Sequence, residues 1–259
     1  MAKASNGELE IRPLTAARVD DVKIVMRGTW GSTCWDLFPR YTAAQQRDLG
    51  ITGGAPGTAE ARRRAALAKL ARRRKNSAGL VAYRGDEPIG FVSLGPRHDY
   101  AVVDNSRATP PVDDVAVWVI PCLGVRRGHR GQGVAVAMIR AAVEYAGKRG
   151  APAVEGYVRA GDTRVPDDYA FFGTRAMFEK AGFREIRGVL PGLRKGSVPR
   201  VTMRRTIRTR AAPAGRPGAA AARPALRAGS ARRRRPPRRA PSGAAPRTAA
   251  RGGPRAWAR

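Results

Sequence analysis

The chain has 259 residues, 42% of them hydrophobic, and a formal net charge of +30. That apolar share supports a packed core, no apolar run approaches the roughly 18 to 20 residues of a membrane span, and the opening M-A-K-A-S-N-G-E-L-E lacks the apolar core of a secretory signal. Cys34 and Cys122 are too few for a disulfide framework or a zinc site, so a soluble cytoplasmic protein with two reduced, buried thiols and no metal is expected.

In chain order, Gly7 to Thr15 alternates Leu9 and Ile11 with Glu8, Glu10 and Arg12, which predicts a strand, and Thr15 can cap a helix over Ala16 to Arg27. An aromatic cluster follows, with Trp30, Trp35, Phe38 and Tyr41 inside fourteen residues of a chain that is only 6% aromatic. Gly-rich sequence from Leu49 to Thr58 separates it from a basic helix predicted over Ala59 to Lys75, whose Leu67 and Leu70 form its apolar stripe. Its remaining surface reads as a solvated face or, less well, as contact with an anionic partner.

Two apolar runs around Gly85-Asp86-Glu87-Pro88 predict a hairpin from Leu80 to Leu94, and the polar segment onward to Asp114 reads as a loop. Val115 to Val125 is apolar enough for a central strand, yet Pro121 has no N–H to complete a regular ladder, so a bulge or a parted neighbour is expected there. After the loop V-R-R-G-H-R-G-Q-G-V-A, a helix runs from Val134 to Gly147, followed by a strand in A-P-A-V-E-G-Y-V-R. A short helix in F-F-G-T-R-A-M-F-E-K-A-G-F and a closing pair of strands, the second over Pro199 to Thr206, complete a mixed α+β sheet.

Residues 1–207 are thus one expected domain and 208–259 a tail. The tail carries fifteen arginines and no acidic residue, half of the net charge, and is built almost wholly from Ala, Arg, Pro and Gly. Such a composition cannot bury enough surface to offset its ordering entropy, so disorder is expected. Clustered arginines suit non-specific contact with nucleic acid or polyphosphate, or with an anionic membrane surface. The same composition also results when GC-rich DNA is translated past a stop codon or in a shifted frame.

The glycine-rich loop between strand and helix is suited to phosphate. A P-loop is excluded, because Gly128 to Gly133 is followed by Val134-Ala135 where Lys and a hydroxyl belong. A dinucleotide fingerprint starting at Gly131 has Val136 in its third glycine position and follows a β meander rather than opening a βαβ unit. What remains is a turn in which Gly131 and Gly133 let successive N–H groups converge ahead of a helix whose first turn adds its own unpaired donors and its positive dipole end, a site for pyrophosphate. Arg126, Arg127 and Arg130 can add charge, and His129 reads as a solvent-facing or phosphate-contacting residue.

Arg130-Gly131-Gln132-Gly133-Val134-Ala135 matches the R/Q-x-x-G-x-G/A signature of the GNAT N-acetyltransferases, and M-F-E-K-A-G-F is similar to the second motif of that superfamily. The order of elements from about Gly7 to Thr206 resembles a GNAT domain throughout. The resemblance implies a mixed sheet with a splayed pair of strands flanked by about four helices. It implies acetyl-CoA as co-substrate, its diphosphate on Arg130, Gly131, Gln132, Gly133, Val134 and Ala135 and its pantetheine along Leu123, Gly124 and Val125. The thioester carbonyl would then accept from strand backbone near Cys122 or Leu123.

The acceptor implied is an amine on a small molecule or a peptide, attacked directly in a ternary complex. A lysine-like amine, with a pKa of roughly 10.4, must first lose a proton. Glu155 is the first candidate for that base, with a structural salt bridge to a neighbouring arginine as its alternative; Asp113 and Asp114 come next. Where many relatives place a tyrosine as proton donor this chain has Phe178, which leaves Tyr169, Tyr157 or solvent to protonate the thiolate, or a domain that binds acyl-CoA without catalysis. Cys122 as an acyl-carrying nucleophile has no histidine near it in sequence. The resemblance makes the aromatic cluster of Trp30, Trp35, Phe38 and Tyr41 a wall for the acceptor, against the alternative of helix packing.

Overall fold

The structure is a computed structural model that describes residues 7–29, 33–52, 57–73, 76–161, 171–195 and 197–207. Trp30, Tyr169 and the arginine-rich tail lie outside the described residues. Chain contacts divide the protein into Met1–Thr209 and Arg210–Arg259. Among the described residues no helix is long and apolar enough to cross a membrane.

Among the described residues nine strands form two sheets. β1 (Leu9–Pro13), β2 (Gly79–Arg84), β3 (Glu87–Ser93) and β6 (Leu123–Val125) make an antiparallel sheet in the order β1-β2-β3-β6. The second sheet runs β4 (Gly95–Pro96), β5 (Trp118–Ile120), β7 (Ala153–Arg159), β9 (Arg200–Thr206) and β8 (Arg184–Arg187), with β9 inserted between β7 and β8. Within it β5 and β7 are parallel, Val119 facing Glu155 and Ile120 facing Gly156.

The predicted strand Val115 to Val125 is therefore two strands belonging to two sheets. The break is at Pro121-Cys122, where the missing proline N–H ends the ladder and the chain changes partner. From there β6 follows β3 while β7 continues beside β9, and a wedge opens between them.

The two sheet faces are covered differently. α5 (Val134–Gly147) and α6 (Arg175–Lys180) pack on one face through a cluster that includes Met138, Ile139, Ala142, Val154, Val158 and Phe178. α1 (Val19–Met26) and α3 (Thr58–Ala71) cover the other through Val22, Trp35, Leu67, Val81 and Phe91. The basic helix is accounted for by internal bonds: Arg63 donates to the carbonyl of Ile51, Arg64 makes a bidentate bond to Asp20, and Glu60 pairs with Lys23.

Several sequence expectations are corrected. Thr15 makes no side-chain cap, because the chain enters α1 through a tight 3-10 turn over Ala16–Arg18 that uses its carbonyl instead. The segment read as a loop holds β4, a 3-10 turn at Arg97–Asp99 and the short helix α4 (Ala101–Asp104), which together bury Tyr100, Val103, Val117, Val119 and Tyr157. The helix α2 (Ala43–Asp48) was not expected, although Thr42-Ala-Ala-Gln45 is a capping box and both of its reciprocal bonds form.

Candidate active site

The site is built where the strands part. Cys122 and Arg126 bond to β3, their partners being the N–H of Ser93 and the carbonyl of Ile89. Period-2 alternation therefore turns the backbone groups of Leu123 and Val125 away from β3 and into the wedge. There the Val125 carbonyl accepts from Arg130 Nε at 2.9 Å, and the Leu123 N–H donates to the carbonyl of Phe171 at 2.7 Å.

The loop that follows is braced from behind. Arg126 pairs with Glu87 on the β2–β3 hairpin at 2.6 Å, and Gln132 folds back to donate to the carbonyl of Gly128. Gly131 and Gly133 stand at φ +74° and +79°, conformations that L side chains rarely adopt. With the chain so turned, no backbone carbonyl among the described residues takes the N–H groups of Gly131 through Val136. Those of Gly131 and of Gly133 through Val136 belong to residues that line one mouth, together with the positive end of the fourteen-residue helix α5.

That mouth opens into a cavity of about 660 Å³, within the range of small-molecule sites. Leu123, Gly124, Val125, Arg130, Gly131, Gly133, Val134 and Ala135 are brought together around it, whereas Gln132 is not on its lining. His129 lines the cavity too, at 6% exposure, which corrects the solvent-facing reading; its Nδ1 is buried with no partner. Unforeseen walls come from Val25, Met26 and Thr29 at the end of α1 and from Phe171, Met177 and Lys180 across the wedge. They are separated from the loop by many residues of chain, so local spacing carries no trace of them. No carboxylate lines the cavity among the described residues.

Glu155 lies on β7 in register with Val119, on the face turned away from α5, and is 1% exposed. Both of its oxygens are engaged: Oε1 accepts from Nε and Nη2 of Arg204 at 2.9 and 2.6 Å, and Oε2 accepts from the Tyr157 hydroxyl at 2.7 Å. Arg204 in turn grips Asp113 with two bonds, and that pairing holds the Asp113 carboxyl below the usual carboxylate range. Burial and the neighbouring Glu155 push the Tyr157 hydroxyl far above its ordinary value.

The aromatic cluster is divided. Trp35 is a core residue of the α1–α3 layer, Tyr41 packs against that layer, and Phe38 is half-buried. None of these three lines the cavity. Trp35 and the following Asp36 have left-handed backbones at φ +51° and +58°, unusual for residues with side chains. They deliver Asp36 to a buried knot in which its Oδ2 accepts from Arg40 and Ser93, while Arg40 also donates to Tyr100. Phe178 is fully buried against Gly156, Gly173 and the edge of Phe183. Cys34 is buried and Cys122 half-buried, which corrects the expectation of two buried thiols; desolvation raises Cys34 to about 11 and Cys122 well above its ordinary value. Among the described residues no group of three or more His, Cys, Asp or Glu is placed to hold a metal ion.

The sequence model of the Acetyltransferase (GNAT) family matches residues 43–183. Among solved structures, Arabidopsis thaliana NAA60 in complex with acetyl-CoA is 16% identical, the match covering 77% of this chain and 100% of that one, with a TM-score of 0.44. The PaiA N-acetyltransferase of Thermoplasma acidophilum in complex with coenzyme A is 15% identical over 77% and 99% of the two chains, with a TM-score of 0.44. The ribosomal-protein-S18-alanine N-acetyltransferase of Escherichia coli is 12% identical over 77% and 94%, with a TM-score of 0.42. A search of curated proteins found no match.

Proposed function

The chain belongs to the Acetyltransferase (GNAT) family, and we propose that it transfers an acetyl group from acetyl-CoA to the amine of a small molecule or peptide by direct attack in a ternary complex. The observation that carries this reading is the row of N–H groups from Gly131 to Val136 at the mouth of a cavity that continues along the backbone edge of β6. A diphosphate satisfies those donors, with Arg130 and Lys180 close by as cations. The amide-rich pantetheine arm then lies along Leu123 to Val125, which places the thioester at the apex of the wedge, beside Pro121 and Cys122.

The reaction forms one bond and breaks another. The amine nitrogen attacks the thioester carbonyl carbon, negative charge develops on the carbonyl oxygen, and the carbon–sulfur bond breaks to release the thiolate. Backbone N–H groups at the strand break are suited to holding that oxygen. The nitrogen sheds its extra proton to water, since the described residues that line the cavity include no carboxylate. The thiolate, conjugate to a thiol of pKa about 8.5, takes a proton from solvent.

We assign Glu155 to holding β7 against β9 rather than to receiving the amine's proton, because its two oxygens already accept three bonds. Phe178 fills the space between Gly156 and Gly173 and has no proton to give. A thiol-release assay with acetyl-CoA over a panel of amines tests the proposal. Release that depends on both components is the expected result. Tight acetyl-CoA binding with no release on any amine supports instead an acyl-CoA-binding module, the reading that Phe178 favours.

A further inference from the structure

Several buried or half-buried arginines of this fold face a carboxylate, and others, such as Arg63, Arg187 and Arg205, end on backbone carbonyls. Arg40 meets Asp36, Arg97 meets Asp104, Arg126 meets Glu87, and Arg204 meets both Glu155 and Asp113. Arg159 and Arg200 differ. They are register partners on β7 and β9, so their side chains leave the same face of the sheet, the face that carries Glu155 and Tyr157. Both are half-buried, and no carboxylate among the described residues stands within ion-pair distance of either. Two like charges placed side by side raise each other's energy, and burial, with a smaller effect of the neighbouring Arg159, lowers Arg200 to about 10.

The pair is joined to the cavity by a short chain of contacts. The Arg200 guanidinium lies 3.4 Å from the centroid of the Phe172 ring and donates from Nη1 to the carbonyl of Tyr157. The ring of Phe172 packs 4.2 Å from that of Phe171, which lines the cavity and holds the Leu123 N–H. Neither arginine is on the cavity lining itself. They therefore stand beside the wedge on the face opposite α5, apart from the amides assigned to diphosphate.

Building on the acetyltransferase reading, we propose that Arg159 and Arg200 form an anion site that binds a carboxylate or phosphate carried by the amine acceptor. A guanidinium offers five N–H donors in a fixed fork, and Arg200 spends one on Tyr157, so the two together can grip both oxygens of a carboxylate. The stacked Phe172 keeps the Arg200 fork from swinging away. An acceptor with an amine at one end and an acidic group at the other would be held by the acid and presented by the amine.

The test uses the full chain saturated with CoA, titrated calorimetrically with glutarate and with its neutral diamide. Glutarate is expected to bind at least about tenfold tighter, the worth of a charge-assisted hydrogen bond. Arg159→Gln and Arg200→Gln are each expected to cut glutarate affinity by about threefold or more while CoA affinity stays within about twofold. The Arg159 side chain makes no hydrogen bond to the rest of the fold among the described residues, unlike that of Arg200, so Arg159→Gln is the variant to rely on should Arg200→Gln fold poorly. Equal binding of the diacid and diamide, or glutarate binding untouched by Arg159→Gln, overturns the proposal. Loss of CoA affinity in the variants overturns it as well and assigns the arginines to a phosphate of the co-substrate. Thiol release with lysine against cadaverine, which differ by the carboxylate alone, separates this proposal from the reading it rests on. Equal turnover of both amines removes the anion site and keeps the transferase. Glutarate binding without release on any amine keeps the site and removes the transfer.

Discussion

Leu123 donates its backbone N–H to the carbonyl of Phe171 across the wedge between β6 and β7, at 2.7 Å. The bond closes the strand edge along which a pantetheine arm is proposed to lie, so a ligand carbonyl that takes this N–H must displace Phe171. On adding acetyl-CoA to isotope-labelled protein, the amide resonances of Leu123 and of Phe171 to Thr174 are expected to move together with those of Gly131 to Ala135. Shifts confined to the loop would mean that Phe171 keeps the strand amide and that the thioester is held by some other donor.

Gly133 at φ +79° is the last residue before α5, and a Cβ built on it meets nothing within 4 Å. Gly133→Ala therefore costs backbone strain of about 1 kcal/mol without a clash. Turning that peptide even slightly misdirects the converging N–H groups, each of which contributes to a charged ligand on the scale of about 1.5 kcal/mol. CoA affinity by calorimetry should fall by about tenfold or more while the melting temperature drops only a few degrees. Unchanged affinity would detach the loop from the diphosphate. By contrast Gly156→Ala drives a methyl into the ring of Phe178 and should be recovered poorly folded.

Glu155 receives three hydrogen bonds and sits opposite Arg204 in the β7–β9 register. Glu155→Gln leaves Arg204 with Asp113 and Arg97 with Asp104, but removes the charge at the buried centre. A loss of about 3 kcal/mol in denaturant unfolding is expected, as for breaking one partner of a buried pair. The pH profile of kcat on a responsive amine should keep its acidic limb. If that limb disappears while the fold holds, Glu155 is the base and its assignment as a strand tie fails.

How much of this was readable beforehand depends on how locally each feature is encoded. The turn that leaves its N–H groups without carbonyl partners was legible because Gly131, Gly133 and the first turn of α5 are consecutive, and the break in the strand because a single residue, Pro121, imposes it. The Phe171 contact and the α1 wall formed by Met26 were hidden, since only the tertiary fold brings them to Leu123. Glu155 was legible as a carboxylate near the wedge with an arginine salt bridge as its alternative role, but the partner was not, because Arg204 lies 49 residues away. For the aromatic cluster, composition announces Trp35 and leaves both a wall and a packing role open, while the left-handed turn that goes with its place in the core leaves no simple sequence pattern.

Cys122 sits at the strand break where the thioester is proposed to lie, which makes it the obvious rival to direct transfer. Burial argues against that rival. A thiol held at about 11, as Cys34 is, keeps roughly one molecule in a thousand ionised at pH 8, and Cys122 is raised by the same cause, with Asp36 adding to it. Neither cysteine should react with iodoacetamide at pH 8 in the native protein over a period that labels both in denaturant. Cys122→Ala should retain thiol-release activity within about threefold, since a direct displacement asks nothing of that sulfur. Should the variant be inactive yet still bind acetyl-CoA, and an acetylated Cys122 be found by mass spectrometry after mixing with acetyl-CoA alone, the transfer runs through the cysteine and the ternary-complex mechanism is wrong.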